Sequence, residues 1–156
     1  MKNPFRILLH VPVPWVFVLA YLIGLIPELR HSSFIPAGAA QESTFVGAVF
    51  FSMGGIIAGW ALFLFHKAKT TTVPGKSSAS MVTWGPYRFT RNPMYVGLTF
   101  AYIGEAGLTR HVWPLLMLPL VLAYVHWTVI PLEESKLKEV FGEQYQQYCA
   151  RVRRWA

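Results

Sequence analysis

Charge is scarce in this chain. Lys, Arg, Asp and Glu together make up 13% of its 156 residues, about half of the roughly 25% usual for a soluble domain. Acids are the rarer sign, with seven Asp and Glu against fourteen Lys and Arg. A single cysteine, Cys149, rules out a disulfide framework within the chain, and the absence of Cys/His spacing for zinc gives no reason to expect a metal site. There is no internal repeat or low-complexity tract, which sets aside repeat architectures.

What fills the chain is apolar: 54% of residues are hydrophobic and the mean hydropathy is +0.39. These residues come in long blocks instead of at core spacing. A helix needs about 20 apolar residues to cross the hydrocarbon of a bilayer, and four segments approach that length, at about 7–27, 44–65, 94–108 and 112–131. The sequence therefore predicts an all-α integral membrane bundle: one membrane domain over 1–156, about four transmembrane helices, a polar loop at 66–93 and a tail at 132–156. The first segment, preceded by Lys2 and Arg6, has the charge pattern of a signal peptide. Its length, Pro12 and Pro14, and the lack of a small-residue cleavage site favour a span.

Loop charge sets orientation. Twelve of the fourteen Lys and Arg fall in the N-terminal segment, the loop between the second and third spans, and the tail; Arg30 and Arg110 alone fall in the other two loops. Four spans with both termini in the cytoplasm put those twelve on one face. A net charge of +7 then needs no nucleic acid partner, because juxtamembrane cations attract anionic headgroups by about 1 kcal/mol each.

The polar residues gather on that basic face. Residues 67–80 are rich in Thr, Ser, Lys, Pro and Gly and read as irregular. Gly85-Pro86 marks a turn, and Asn92-Pro93 reads as N-cap and first residue of the third helix. A helix start beside Arg91 suits anionic groups. In the tail, Leu137, Phe141, Tyr145, Tyr148 and Val152 recur at three- and four-residue steps, the stripe of an amphipathic interfacial helix. Glu133-Glu134 stands at its start, where acids also suit the helix dipole. Glu105 is an acid inside a predicted span, by default a functional candidate, although it lies near an end. His126 sits near the end of the fourth span, between Tyr124 and Trp127, as an interfacial hydrogen-bonder or a base.

Three pieces, GPYRFTRNPMYVG at 85–97, the acid pair at 133–134 and FGEQYQQY at 141–148, stand in that order around one helical hairpin. Together they resemble the isoprenylcysteine carboxyl methyltransferase family and the related phospholipid methyltransferases, integral membrane enzymes that use S-adenosylmethionine. The resemblance runs from about Thr70 to the C-terminus, roughly half the chain; the first two spans match only as apolar helices. It implies that Glu133 and Glu134 meet the cofactor's ammonium or ribose hydroxyls. Arg91 and the helix start at Asn92 and Pro93 would take its carboxylate through charge-assisted bonds. Tyr87 and Tyr95 would stack on adenine or face the sulfonium, and Gly97 would allow close backbone approach. The acceptor would enter laterally from the bilayer and the cofactor from the cytoplasm, with catalysis by positioning and electrostatics.

The chain departs from the family at two places. Many members carry His where this chain has Asn92, and the carboxyl methyltransferases carry an arginine on the last span where 123–131 has none. An amine, hydroxyl or thiol acceptor is thus at least as open as a carboxylate, and Glu133, Glu134 or His126 would be the base. Two other readings fit parts of the sequence. A membrane reductase related to the sterol reductases would bind NADPH with Arg88 and Arg91, but the acid pair repels a phosphate-rich cofactor. A small scaffold or transporter subunit explains the spans but gives no reason for paired motifs on one face.

Overall fold

A computed structural model describes residues 12–29, 35–68 and 81–155. The expectations for residues 7–11, for Lys2, Arg6, Arg30, Lys69 and Lys76, and for residues 69–80 of the polar loop lie outside the described residues. Within them the protein is all-helical, without a strand.

Helix α1 (Val13–Gly24) begins with a proline in its first turn, where the missing N–H costs nothing. Helix α2 (Ala40–Lys67) has 28 residues, about 42 Å at 1.5 Å per residue. Helix α3 (Pro93–Thr109) has 17 residues and stops at Arg110, whose φ of 60° turns the chain into the left-handed conformation that ends helices. A 3₁₀ turn (Trp113–Leu116) leads into α4 (Leu118–Tyr124), a π-helical turn (Val125–Val129) and α5 (Ile130–Arg151).

The fourth apolar segment and the tail helix form one rod, where the sequence suggested two elements. Proline at 131 cannot donate to the preceding turn, and its ring crowds a carbonyl there. The π turn just before it widens the spiral and lets the helix pass through. The rod bends instead at Gly142, whose φ of 51° and ψ of −121° are not helical. A further difference is Val152, which leaves the amphipathic stripe: its backbone is extended, with φ −123° and ψ 130°.

Two helical stretches, Ala40–Lys67 and Trp113–Arg151, are long and apolar enough to cross a membrane. Only 17% and 28% of their most apolar windows is buried inside the protein, so most of that surface faces outward, unlike a core helix. Val13–Glu28 is apolar but shorter.

Helices α2 and α3 pack closest. A Cβ on Gly97 would stand 2.7 Å from the Ala58 backbone nitrogen, and one on Gly47 would stand 2.5 Å from that of Leu108. Backbones this near each other exclude any side chain at the contact. On the other side of α3, Tyr102 stacks edge-on with Phe17 and Tyr21 of α1 and donates its hydroxyl to the Pro114 carbonyl at 2.7 Å. Tyr21 and Thr109 share a hydroxyl hydrogen bond of 2.6 Å. Aromatic bodies with satisfied hydroxyls thus fix α1, α3 and the turn before α4. This pins the far end of α3 and sets the position of its start, where the polar residues lie.

Candidate active site

The polar cluster is assembled from a 3₁₀ turn (Gly85–Arg88), the start of α3, the start of α5 and the extended tail 152–155. Gly85 takes a φ of 65°, a conformation open to glycine at no steric cost, and the turn folds back against α2. There the buried Tyr87 ring meets Phe65 edge-on, with centroids 5.4 Å apart.

Once α5 ends, the tail runs back along residues 90–92. The Arg91 N–H donates to the Arg153 carbonyl at 2.9 Å. The buried Thr90 hydroxyl and the Asn92 side-chain amide both donate to the Arg154 carbonyl, at 3.0 and 2.9 Å. Asn92 occupies the N-cap position expected of it, but its side chain makes no capping bond because it is turned to the tail. Its own N–H donates to the Thr90 hydroxyl at 3.2 Å, and its carbonyl accepts from Tyr95 and Val96. With Pro93 fully buried and lacking an N–H, this helix start offers few free donors to an anion.

The two glutamates have different surroundings. Glu134 is held by two arginines: Arg91 Nη1 lies 3.2 Å from Oε1, and Arg154 donates Nε to Oε1 at 3.1 Å and Nη2 to Oε2 at 2.6 Å. The carboxylate in turn holds the Arg154 guanidinium above its ordinary pKa. Glu133 accepts one hydrogen bond, from Tyr95 Oη at 2.7 Å. Burial pushes its carboxyl above the usual range; the Tyr95 bond and Lys136 pull the other way, and Glu134 adds to the rise. A carboxylate can accept about four hydrogen bonds, so Glu133 keeps capacity that Glu134 has spent.

Phenols line the same region. Burial raises Tyr87, with Tyr148 and Glu133 adding to it. Tyr148 is pushed up to about 12 by burial against the opposing pull of Arg91, and its hydroxyl donates to the Tyr87 carbonyl at 2.7 Å. All these phenols are neutral near pH 7. Cys149 accepts a contact from Arg91 Nη1, while Arg91 Nε is buried without a hydrogen-bond partner among the described residues.

His126 belongs to an adjacent groove. Its Nδ1 accepts the Trp155 indole N–H at 2.8 Å, and the two rings stack with an interplanar angle of 22°. An indole nitrogen can only donate, so Nδ1 is the acceptor in this bond. Its single lone pair is therefore in use. The groove holds about 470 Å³ and is lined mainly by apolar side chains of α3 and α4, including Val96, Phe100, Leu122 and Ala123, with His126 and Trp155 on its wall.

The structure thus brings Tyr87, Arg91, Asn92, Tyr95, Glu133 and Glu134 to one end of the helices, with His126 alongside through the tail. Gly97 is placed elsewhere: the close approach it permits is to Gly54 and Ala58 of α2, which is a packing role. Glu105 stands exposed away from the cluster, with its backbone carbonyl accepting from Thr109. The sequence reading missed Arg154, Trp155 and Thr90. Arg153-Arg154-Trp155 offered a faint signal, an aromatic beside paired cations just after a helix, but counted there only as membrane-face charge.

A helical protein with paired carboxylates, arginines and phenols beside an apolar groove has the features of a membrane-associated site for a polar ligand and a lipophilic one. The chain belongs to the phospholipid methyltransferase family, whose profile matches residues 43–144, from early α2 past the acid pair. It is 26% identical over 130 residues to a probable protein-S-isoprenylcysteine O-methyltransferase of Oryza sativa subsp. indica, and equally to that of subsp. japonica. Each alignment covers 82% of this chain and 64% of the relative, so the chain spans just under two thirds of the length of the rice proteins. It is 27% identical over 141 residues to protein-S-isoprenylcysteine O-methyltransferase B of Arabidopsis thaliana, covering 87% of this chain and 71% of that one. No solved structure matches the chain.

Proposed function

We propose that the protein is a multi-pass membrane methyltransferase that moves a methyl group from S-adenosylmethionine to a lipophilic acceptor. The chain would form one membrane domain of four spans with both termini in the cytoplasm. The apolar outer surfaces of α2 and the α4–α5 rod support this, as does the basic bias of alternate loops. The observation that carries the reading is Glu133: a carboxyl desolvated by burial that accepts one hydrogen bond, from Tyr95, and lies within electrostatic reach of Tyr87.

The residues fit such a cofactor. When bound, it supplies a methyl group made electrophilic by a sulfonium. Glu133 has acceptor capacity left for an ammonium or a ribose hydroxyl, and the unpartnered Arg91 Nε has donor capacity for a carboxylate. Tyr87 and Tyr95 would offer aromatic faces to adenine or the sulfonium, worth about 0.5 to 2 kcal/mol for the cation. Glu134, saturated by Arg91 and Arg154, would hold the tail and orient Arg91. An amine, hydroxyl or thiol acceptor must lose a proton around methylation. Glu133 suits that task, because its raised pKa brings it nearer the working range of a base. His126, its lone pair committed to Trp155, would shape the groove that receives the acceptor's apolar part.

The test is methyl transfer from labelled S-adenosylmethionine by the purified full chain, offered a total lipid extract and panels of thiols and amines. Label in an organic-extractable product is expected, and Glu133→Gln should lose cofactor affinity while staying folded. Saturable NADPH binding with no S-adenosylmethionine binding would overturn the reading in favour of a reductase.

A further inference from the structure

A second cleft lies on the outer side of the wall formed by Tyr87 and Tyr148. It holds about 410 Å³ between the 81–88 segment and the end of α5, and its polar lining is Thr83, Arg88, Gln144 and Arg151. Among the described residues no carboxylate lines it, and neither Arg88 nor Arg151 forms an ion pair. Arg151 uses only its Nε, donating to the Gln147 carbonyl of its own helix at 3.3 Å. Two guanidinium groups from different elements, a hydroxyl and an amide thus border one cavity with their donors largely unspent. That is an excess of positive charge and of donors with nothing among the described residues to meet it.

We infer that this cleft binds a phosphate group, held between the guanidinium groups of Arg88 and Arg151. Tetrahedral phosphate oxygens match the forked donors of arginine, and donors from two sides enclose the group as a lone surface arginine cannot. Its neighbours point to a lipid headgroup as the source. Trp84 and Phe89 flank Arg88 and are 45% and 74% exposed, and exposed aromatics of this kind sit at headgroup depth. A phosphate here would tie the 81–88 segment to α5, the two elements whose inner sides carry Tyr87 and Glu133. The inference does not depend on methyl transfer, since none of the four lining polar residues belongs to the cluster proposed for that reaction.

Ligands that bind the native state raise the unfolding midpoint, so thermal unfolding of the purified full chain reads the site directly. One arm adds inorganic phosphate in neutral detergent. The other compares phosphatidylcholine nanodiscs with and without phosphatidic acid, whose headgroup is a phosphate monoester. Phosphatidic acid is expected to raise the midpoint. Arg88→Gln and Arg151→Gln should each weaken the apparent affinity roughly tenfold, whereas Lys138→Gln, which removes the same charge from an exposed site off the cleft, should not. Stabilisation by inorganic phosphate that is lost in the same two variants keeps the phosphate site and makes its source soluble. No stabilisation in either arm, or equal weakening by Lys138→Gln, overturns the site and leaves only diffuse charge attraction.

Discussion

Glu134 and Arg154 form a two-point ion pair, with Arg154 Nε on Oε1 at 3.1 Å and Nη2 on Oε2 at 2.6 Å. Twenty residues separate them, and the break in α5 at Gly142 turns the chain back toward the start of that helix. The pair therefore closes a loop: the start and the end of α5 are tied together across the start of α3. Arg91 completes it, touching Glu134 with its side chain and the Arg153 carbonyl with its backbone.

This closure predicts coupling. Arg154→Gln should destabilise the protein by about 1 to 3 kcal/mol, the range for a hydrogen bond to a charged group. Glu134→Gln should cost more, because it leaves two guanidinium groups facing each other. In thermal unfolding, the double variant should lose less than the two single losses combined, with an interaction of about 0.5 to 3 kcal/mol. Strict additivity would mean that the two residues do not act as a pair.

Glu133 predicts a pH slope. Its folded pKa is raised, chiefly by burial, so the folded state holds its proton to higher pH than the unfolded chain does. The stability this gives is full below the ordinary carboxyl value of about 4.5 and is lost as pH rises through the folded value. Glu133→Gln, which keeps an oxygen for the Tyr95 hydroxyl, should flatten that decline and equal or exceed the natural protein in unfolding midpoint at neutral pH. A variant with the same slope as the parent would show that Glu133 is not desolvated.

Much of this arrangement was legible in the sequence, and the reasons are physical. Apolar length alone locates helices, so α2, α3 and the rod lie where the hydropathy placed them. Asn92-Pro93 marks the start of α3 because proline has few other places in a helix. The resemblance implies that the acid pair and Arg91 share one site, but not that Arg91 itself pairs with Glu134. The tail was not legible. Whether Arg154 reaches Glu134 depends on how sharply the chain turns at Gly142, whose φ of 51° and ψ of −121° break the helix, and on the extended backbone of Val152 beyond it. Asn92 shows the same limit: its position follows from local chemistry, but the tail took its side chain. Gly97 was assigned to ligand approach because a glycine reports only that something comes near, and here that something is Ala58.

The groove predicts a role for Trp155. Trp155→Phe keeps a ring against His126 but removes the N–H that meets Nδ1. Under the proposed function, KM for a long-chain acceptor should rise about threefold to tenfold, the worth of one hydrogen bond, with cofactor affinity unchanged. Trp155→Ala also removes the groove wall and should do more. Steady-state methyl transfer with acceptors of increasing chain length makes the distinction. A loss of cofactor affinity equal to the loss for acceptor would place Trp155 with the polar cluster and not with the groove.

The contact between α2 and α3 gives the clearest packing test, because α2 also supplies a control. Gly97→Ala puts a methyl group 2.7 Å from a backbone nitrogen of Ala58, and neither backbone can move aside cheaply. Overpacking of this kind costs about 1 to 3 kcal/mol. Gly55, on α2, has open space where its Cβ would go, so Gly55→Ala should be neutral or gain up to about 1 kcal/mol from helix propensity. Unfolding midpoints of the two variants in one detergent should therefore move apart. Because α3 also carries Tyr95, Gly97→Ala should in addition weaken the Tyr95–Glu133 contact, and so the cofactor affinity expected of Glu133. Matching midpoints for the two variants would mean that α2 and α3 do not approach this closely.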